Sequence, residues 1–569
     1  MLDRIETALN AVLDWGAVSG LRRAVLILAL GLAVLIPGLA AMPVTDRDEA
    51  RFAQASKQML ETGDLIDIRF QDAPRWKKPV GIYWLQAGAA SAFGATEAPI
   101  WAYRLPSVLG ALIAAWLTAW AARALVTPRL AVLAGLMMTV PLLMVAEGHI
   151  AKTDAALAAT ATAVLGALAH TAIGRGGPGV AAVFWLGLAF AILIKGPIVP
   201  VIAASTLTAL AWRQQTRQHL RQLYPLPGLA VTALIVLPWL IAIWQISDGA
   251  FFQESLGKDM AAKVAAGQEK HWGPPGLYLG LVWATFWPWA ALLPLAAGVL
   301  WRLRGSVAGV LVIAWVVPFW LILELVPTKL PHYVLPLYPA LVLGIVAWLN
   351  TIPDHQSGRL SKISAVLIAG PGLVIALGIL AVPLLIGSGI IPGTGDDSVL
   401  PSRISWPGVI LAAVAAMCIW LATRAAWSGR ITAQIGASLL AAATLYPAIL
   451  QFSLPALGTG FPSPVLSQLH AQYRACASGP GFSIGYHEPS FVFLTETKIR
   501  FADPGAAITA LTEDPGAMVF ITDRWAEILT NLPEAEERAH LRHFNYNRGK
   551  MERIVLLTPD DPRWDACAG

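Results

Sequence analysis

The chain has 569 residues, of which 56% are hydrophobic and 13% are charged, and its mean hydropathy is +0.62. Charged residues make up about a quarter of an ordinary soluble domain, so this composition excludes that class and predicts an integral membrane protein. The formal net charge of +5 comes mostly from arginines in alternate loops and indicates no nucleic-acid partner.

Apolar stretches long enough for a spanning helix of ~17–25 residues recur along the chain. We predict thirteen spans, at residues 24–42, 104–122, 130–146, 154–172, 179–194, 197–212, 227–246, 277–300, 306–326, 332–350, 364–387, 407–423 and 432–453. The first is predicted to be a true span and not a cleaved signal peptide, because no small-residue cleavage site precedes the charged segment and many spans follow.

The charges of the loops predict the orientation of the chain. Short cytoplasmic loops collect Lys and Arg, and alternate loops carry such residues: Arg22 and Arg23, Arg123 and Arg129, Arg175, Arg213 with Arg217 and Arg221, Arg302 and Arg304, Arg359 and Lys362, and Arg424 and Arg430. We therefore expect a multi-pass protein of a bacterial inner membrane. Its cytoplasmic N-terminus would comprise residues 1–23, its transmembrane domain 24–453 and its periplasmic domain 454–569.

The tail differs in composition from the spans. From Phe461 it has short apolar runs, FVFL, AMVFITD and ERIVLLTPD, with helix-like segments between them, which predicts a small extracytoplasmic α/β domain. Cys476 and Cys567 both lie there, so a disulfide is permitted by compartment, although spacing alone does not establish its geometry. In GYHEPSFVFL, contact with an acceptor and a simple turn before a core strand explain the polar residues equally well.

The first outer loop, residues 43–103, opens with DRDEARFAQASKQMLETGD, which runs from Asp46 to Asp64. Apolar residues at helical spacing and a stop at Gly63 predict an amphipathic helix lying along the membrane surface. Its acids have two readings. Thr45 with Asp48, or Asp46 with Glu49, fits a capping box, and catalysis is the alternative.

Further ionisable groups lie on the same outer face. They are Lys77 and Lys78 in RWKKP, Arg104 in YRLPS, Lys152 and Asp154 in EGHIAKTDAAL, Lys195 in LIKGP, Lys258, Lys263, Lys270 and His271 in one loop, and Lys329, His332 and Tyr333 in PTKLPHYVLP. A single Lys often only reaches the headgroups, and an acid at a helix start is often only a cap. Several converging cations predict an anion at the membrane surface, and the phosphate of a lipid is the natural ligand.

The ordered motifs TDRDEARFAQASKQMLETGD, RWKKPVGIYWL, YRLPS, KTD, KGP, LPW, KHWGPPGLYL and TKLPHYVLPLYPAL resemble the GT-C fold glycosyltransferases of the protein O-mannosyltransferase-like group, and most of all the lipid A aminoarabinose transferases. The resemblance covers residues from about 24 to 350. It implies a polytopic α-helical membrane protein whose donor is a sugar on a polyprenyl phosphate. It also implies transfer on the periplasmic face, with inversion at the anomeric carbon, to lipid A or another lipopolysaccharide component.

The resemblance also assigns roles to residues. The loop acid of the family maps onto Asp48, its second acid onto Asp154, and its two motif lysines onto Lys78 and Lys329. We expect the lysines, with Arg104 and Lys195, to hold the donor phosphate, while Asp48 orients or deprotonates the acceptor and Asp154 supports it. Glu49 would cap the helix or pair with Arg51. Supporting positions are Tyr83, His271, His332 and Tyr333.

One departure from the family concerns a metal. Many relatives carry a glutamate beside the motif lysine, where this chain has Trp76-Lys77-Lys78-Pro79. A metal site that uses this glutamate is therefore in doubt. No cofactor is predicted with certainty, and a divalent metal stays an open alternative.

Three other functions are weighed against this one. A nucleotide-sugar transferase would fit the acidic DRD motif but not the outer location or the lack of a Gly-rich strand–turn–helix pattern. A flippase or other transporter would place ionisable groups near the bilayer midplane and show paired repeats, and a scaffold would leave the outer charges without a role. A protein acceptor, as in the O-mannosyltransferases, is the alternative within the same class.

Overall fold

Helices dominate the first part of the chain, and a β-sheet forms the core of the last part. The structure is a computed structural model that describes residues 1–45, 47–215, 218–259, 272–351, 358–392, 400–525, 535–545 and 548–567. The residues named in the sequence predictions that lie outside these ranges are Asp46, Arg217, Lys263, Lys270 and His271.

The helices up to residue 252 are α1 Leu2–Ala17, α2 Gly20–Leu35, α3 Arg47–Thr62, α4 Gly81–Ser91, α5 Ile100–Ala122, α6 Pro128–Thr139, α7 Leu142–Gly148, α8 Asp154–Ala172, α9 Pro178–Lys195, α10 Ile198–Gln214, α11 Gln218–Gln222, α12 Pro225–Ser247 and α13 Ala250–Phe252. Later helices, named by their bounds, are Leu277–Thr285, Leu293–Arg302, Val307–Leu325, Tyr338–Leu349, Arg359–Gly387, Trp406–Trp427, Ile431–Pro447, Leu454–Ala456, Ser463–Tyr473, Pro489–Leu494 and Pro504–Glu513.

Among the described residues, nine helices are long and apolar enough to cross a membrane, or eleven if each of two bent pairs forms one span. The two remaining predicted spans, 24–42 and 197–212, correspond to the shorter helices α2 and α10, of 16 and 17 residues. The prediction of a polytopic helical membrane protein is confirmed.

The two bent pairs break at prolines. Helices α6 and α7 meet at 59° around Pro141, and Leu277–Thr285 meets the next helical segment at 112° around Pro288. Proline removes a backbone donor and clashes with the preceding turn, so a long apolar run is interrupted there. The first break brings the outer end of α7 towards the start of α8.

Close packing of α5 against α8 fixes the N-terminal ends of both helices. A Cβ on Gly110 of α5 would lie 2.7 Å from the backbone nitrogen of Ala156 in α8, so only glycine permits this approach. The Ser107 hydroxyl, also on α5, donates to the backbone carbonyls of Ile150 and Lys152, at 2.7 and 3.2 Å. The segment before Asp154 is thereby held against α5.

The helix α3, predicted to be amphipathic, is buried between the membrane helices and the C-terminal domain. Residues 49–59 of α3 are almost all buried, Arg51 being half-buried. On one side Phe52 packs against Tyr83 of α4, with ring centroids 5.3 Å apart. On another side, α3 and Tyr103 belong to an apolar cluster that includes Phe493 of the C-terminal domain. The amphipathic pattern thus reflects protein contacts, and the location of α3 along the membrane surface stays a prediction.

Polar contacts also join α3 to the C-terminal domain. The Gln54 amide donates to the Thr497 hydroxyl at 2.6 Å, and that hydroxyl donates to Glu61 at 2.7 Å. The Lys57 ammonium donates to the carbonyl of Phe493 at 3.3 Å. The helix that carries Asp48 is therefore positioned by both parts of the chain.

The C-terminal domain is built on a five-stranded sheet of order β4-β3-β5-β7-β6. Its strands are β3 Phe482–Ile484, β4 Arg500–Phe501, β5 Val519–Thr522, β6 Ala535–Asn545 and β7 Lys550–Pro559, and a separate hairpin of β1 Arg69–Phe70 and β2 Ala73–Pro74 lies in the first outer loop. Strands β4, β3 and β5 run parallel, and β7 and β6 extend the sheet antiparallel. The predicted α/β domain is confirmed.

Two details of that domain were open or wrong in the sequence prediction. Cys476 and Cys567 form a disulfide, with Cα atoms 6.4 Å apart. The run FVFL, predicted as a strand, belongs to the helix Pro489–Leu494. Its proline stands at the first helical turn, where proline favours a helix, and the run is buried because the helix faces α3 and the sheet.

Candidate active site

Glu49 and Arg104 form a buried ion pair that joins α3 to α5. The guanidinium contacts both carboxylate oxygens, at 2.7 and 3.0 Å, and its other N–H groups donate to the carbonyls of Leu39, Met42 and Pro43. All five donors of Arg104 are thus used, and its side chain is 0% exposed. The predicted role of Arg104 in holding a phosphate was wrong, since no donor is left for a ligand.

Glu49 is the acid that caps the start of α3. Its carboxylate accepts from the backbone N–H and the hydroxyl of Thr45, both at 2.7 Å, and from the backbone N–H of Ala151 at 3.0 Å. Burial alone would raise the pKa of Glu49, but Arg104 and Thr45 outweigh it and hold that pKa below its ordinary value. The predicted capping role is consistent with this geometry, whereas the ion pair is with Arg104 and not Arg51.

Asp48 stands apart from this network. It is half-buried in the first turn of α3, and within the described part of the chain its carboxylate accepts no hydrogen bond from a backbone or side-chain group. It lies close to Tyr83, whose pKa is raised by burial and further by the charge of Asp48, while Arg75 opposes the shift. Among the described residues the capping role belongs to Glu49, which leaves the Asp48 carboxylate available to a ligand.

Asp154, at the start of α8, is the centre of a buried charged cluster. The Lys195 ammonium at the end of α9 pairs with its Oδ1, and the Thr153 hydroxyl donates to its Oδ2 at 3.2 Å. His332 lies beside it, with Nε2 4.0 Å from Asp154 Oδ2. The structure therefore brings together three residues that the sequence analysis named for the site: Asp154, Lys195 and His332.

The same cluster includes an acid that the sequence analysis did not select. Glu147, on α7, lies 3.6 Å from the Lys152 ammonium and 3.7 Å from His332 Nδ1. Lys152 Nζ is also 3.4 Å from His332 Nδ1, and since an ammonium only donates, that nitrogen is the acceptor. Glu147 is the first residue of EGHIAKTD and directly follows the predicted span 130–146. An acid at the rim of a span was the available signal, because ionisable groups there mark function by default.

A cavity of about 610 Å³ opens beside this cluster. Its polar lining comes from Lys77, Lys78, Lys195, His332 and Tyr333, and most of its wall is apolar, including Leu193, Trp239, Leu240, Phe251, Phe319, Ile322 and Leu323. Lys78 lies within electrostatic reach of His332, and the Lys195 ammonium is 5.3 Å from the centre of the Tyr333 ring. The arrangement suits a ligand with an anionic head and a long apolar tail.

Lys329 does not line this cavity. Its ammonium donates to the carbonyls of Leu323 and Glu324, both at 2.6 Å, and lies 3.7 Å from the Glu324 carboxylate. These carbonyls belong to the last turn of the helix Val307–Leu325, where a cation satisfies free acceptors. Burial lowers the pKa of Lys329, while Glu324 opposes the shift. The structure places Lys329 at a helix end and outside the lining of the cavity, and its phosphate contact stays a prediction.

Glu147, Asp154 and His332 offer three ligand atoms within 4.8 Å of one another, which is close enough for a metal ion. The chemistry of the cluster does not fit one. The Lys195 ammonium already contacts Asp154, and the Lys152 ammonium lies beside Glu147. Two cations thus balance two carboxylates, and a divalent ion would meet both ammonium groups at short range. No step of the chemistry below passes through a metal.

Comparison with known proteins bears on both the fold and the site. Residues 77–244, which include Lys78, Asp154 and Lys195, match the family model described as dolichyl-phosphate-mannose-protein mannosyltransferase. The structure of ArnT from Cupriavidus metallidurans bound to undecaprenyl phosphate superposes with a TM-score of 0.72 at 19% identity, covering 96% of this chain and 98% of that one. The chain has the fold of ArnT. The predicted resemblance to the GT-C glycosyltransferases is confirmed.

Curated relatives agree with this assignment. The undecaprenyl phosphate-alpha-4-amino-4-deoxy-L-arabinose arabinosyl transferase of Edwardsiella ictaluri is 29% identical over 348 residues, which cover 60% of each chain. The protein of the same name from an Enterobacter species is 29% identical over 355 residues, covering 58% of this chain and 62% of that one. The chain thus matches about three fifths of the length of these relatives.

Proposed function

We propose that the protein is a glycosyltransferase that moves a sugar from a polyprenyl-phosphate donor to an envelope acceptor, lipid A or another lipopolysaccharide component. The observation that carries the proposal is the cavity of about 610 Å³, in which an apolar wall meets Lys78 and Lys195. The apolar wall suits a polyprenyl chain, and the two lysines suit its phosphate. The names of the curated relatives, which are arabinosyl transferases, and the bound undecaprenyl phosphate of ArnT support this assignment.

The proposed reaction displaces the lipid phosphate from the anomeric carbon. The bond between that carbon and the phosphate oxygen breaks, and its electron pair leaves with the polyprenyl phosphate. An acceptor oxygen forms the new bond from the opposite face, which inverts the configuration. Lys78 and Lys195 stabilise the charge that develops on the leaving phosphate. Lys195 is itself held by Asp154, so Asp154 acts as a positioning residue.

Asp48 serves the acceptor in this proposal. Its half-buried carboxylate, which no described group engages, orients the acceptor oxygen and takes the proton of a hydroxyl acceptor. If the acceptor oxygen belongs to a phosphate, no proton needs to be removed and Asp48 acts through orientation alone. Arg51, Tyr83 and Tyr333 remain supporting positions, and Arg51 is half-buried on the next turn of α3.

We also propose the membrane arrangement given by the sequence: an inner-membrane protein with residues 1–23 in the cytoplasm, 24–453 as the transmembrane catalytic domain and 454–569 in the periplasm. The alternation of arginine-rich loops supports this orientation. The disulfide between Cys476 and Cys567 supports an extracytoplasmic tail, because disulfides persist in oxidising compartments.

The test uses purified protein in lipid nanodiscs with a polyprenyl-phosphate sugar and extracted envelope lipids, and mass spectrometry of the products. A glycosylated lipid that Asp48→Ala and Lys78→Ala abolish in folded protein would support the proposal, and the mass gained identifies the sugar. Sugar transferred to added protein instead of lipid would favour a protein acceptor, as the description of the matching family model suggests for that family. No product from any acceptor would refute the proposal.

A further inference from the structure

A cleft between the C-terminal domain and the first outer loop has no role in the reaction described so far. It consists of two adjoining cavities of about 610 and 360 Å³, which share Tyr486, Glu488 and Asn545 in their lining. Arg47 of α3 lines the larger cavity, and Thr45 lines the smaller. The cleft therefore reaches the start of α3, where Arg47 directly precedes Asp48.

The larger cavity lies where an open α/β sheet usually binds ligands. Its lining follows the carboxyl ends of all three parallel strands: Gly485 to Glu488 after β3, Ala502 to Pro504 after β4, and Arg524 with Trp525 after β5. The chain goes from β3 to β4 on one side and then to β5 on the other, so the strand order reverses around β3. A crevice outside strand ends at such a reversal is the general ligand position in this class of sheet.

The loop after β3 approaches the sheet more closely than a side chain would allow. Gly485 has φ of +77°, and a Cβ there would lie 2.2 Å from the Thr522 hydroxyl oxygen. Glycine is therefore required at this position. The turn that the sequence alone left unexplained thus brings Tyr486, His487 and Glu488 to the rim of the cleft.

The side chains of the larger cavity combine aromatic faces with a cation. His487 stacks on Phe501, with ring centroids 5.0 Å apart, and the Arg524 guanidinium lies over Trp525 at 4.8 Å. Within the described residues no carboxylate pairs with Arg524. Apolar ring faces suit the C–H faces of a sugar, and arginine suits a phosphate.

The three acids of this cavity are already engaged. Glu488 pairs with Arg47 at 3.2 Å, and Glu552 accepts from Arg548 and Asn545, at 2.8 and 2.7 Å. Asp503 caps the helix Pro504–Glu513 by accepting from the N–H of Ala506 at 3.0 Å. Arg524 is therefore the arginine of this cavity that pairs with none of these three acids, and its guanidinium suits a phosphate.

The smaller cavity provides an independent observation. His543 lines it and is 3% exposed, and among the described residues neither ring nitrogen has a well-aligned hydrogen-bond partner. A buried polar atom without a partner is costly, so such a side chain points to a ligand that hydrogen-bonds to it. The same cavity is lined by three linked hydroxyls, since Ser463 contacts both Tyr486 and Ser490 at 2.7 Å. These groups suit the hydroxyls of a sugar.

We infer that this cleft binds the phosphorylated saccharide headgroup of the acceptor glycolipid. Arg524 contacts a phosphate, Trp525 and the His487–Phe501 pair pack against sugar faces, and His543 hydrogen-bonds to a sugar hydroxyl. The C-terminal domain thereby places the acceptor next to α3 and Asp48. The inference rests on the proposed function, because it names the headgroup as that of the acceptor.

The test measures binding without any transfer. Full-length protein in nanodiscs is titrated with a glucosamine disaccharide that carries two phosphates and no acyl chains, by calorimetry, in the absence of donor. We expect saturable binding that Arg524→Ala and Trp525→Ala each weaken about tenfold or more, the first through loss of a charge-assisted contact and the second through loss of packing against a sugar face. Arg500→Ala is the matched control, because Arg500 also stacks on a ring of this domain, Phe482, but does not line the cleft.

Two companion probes separate the parts of the inference. The dephosphorylated disaccharide should bind at least tenfold more weakly than the bisphosphate, and inorganic phosphate should compete only weakly. If phosphate alone binds as well as the disaccharide, the cleft is a simple anion site and the inference is wrong. Lack of binding by the parent protein, or equal binding by Arg524→Ala and Trp525→Ala, would also overturn it. Unchanged thermal unfolding of each variant confirms that folding is intact.

A transfer assay tells the failure of this inference from the failure of the proposed function. If both are correct, Arg524→Ala raises the KM for the acceptor about tenfold and leaves the KM for the donor unchanged. Headgroup binding without transfer by the parent protein would refute the proposed function and retain the cleft as a saccharide site. Transfer with no effect of Arg524→Ala on the acceptor KM would refute the cleft and retain the enzyme.

Discussion

The guanidinium of Arg104 lies against the carboxylate of Glu49 in a bidentate ion pair, and both side chains are at most 1% exposed. Removing one partner of such a pair leaves an uncompensated buried charge, which costs about 3–5 kcal/mol. We therefore expect Glu49→Ala to lower the stability of the protein by that amount, measured by denaturant unfolding in nanodiscs. Glu97→Ala, which removes an exposed acid of the same loop, should change stability by less than about 0.5 kcal/mol. Equal effects would contradict the buried pair.

The same pair predicts a dependence of stability on pH. Because the folded-state pKa of Glu49 is lowered, its contribution is fully present above the ordinary glutamate pKa and disappears as pH falls through the lower folded value. The stability difference between the parent and Glu49→Gln should therefore be constant from neutral pH down to the ordinary pKa and shrink only below it. Unfolding followed from pH 7 to pH 3 checks this. A difference that shrinks already near pH 6 would contradict the lowered pKa.

Asp48 is expected to affect activity and not stability. Its carboxylate accepts no hydrogen bond from the described residues, so Asp48→Asn should leave the unfolding midpoint unchanged. If it orients or deprotonates the acceptor, kcat/KM for transfer should fall about 10²–10⁴-fold. Asp72→Asn, an exposed acid in the same loop, serves as the control and should retain activity. A stable Asp48→Asn variant with parental activity would remove Asp48 from the site.

The sequence predicted the architecture more fully than the contacts of individual residues. Hydropathy and loop charge identified the spans, since each must bury a long apolar stretch in lipid, and the motif order identified the fold. The sequence also indicated Asp154, Lys195 and Lys78 as site residues, because ionisable groups at the rim of a span are costly. The partner of each charge is set by tertiary packing, however, and spacing does not record it. Arg104 and Lys329 look like ligand-binding cations in sequence, but the structure uses every donor of the first and places the second at a helix end.

The ion pair between Asp154 and Lys195 allows the roles of charge and of catalysis to be separated. Asp154→Asn and Lys195→Met should each destabilise the protein, since each leaves one buried charge uncompensated. The double variant removes both charges and should recover much of that stability, so the two effects will not add. Transfer activity should stay low in all three variants because the phosphate contact of Lys195 is lost or misplaced. Recovery of activity in the double variant would show that the pair has only a structural role.

Lys78 and Lys329 provide the sharpest comparison, because both are motif lysines and only Lys78 lines the cavity. Lys78→Ala should raise the KM for the polyprenyl-phosphate donor, by about tenfold or more for a lost charge-assisted contact. Lys329→Met should leave the donor KM unchanged. It should lower the stability of the protein by about 1–3 kcal/mol, because the carbonyls of Leu323 and Glu324 are left unsatisfied. Donor titrations at saturating acceptor, with thermal unfolding of the same preparations, measure both quantities. A donor KM that rises in Lys329→Met at temperatures where that variant is fully folded would return Lys329 to the phosphate site.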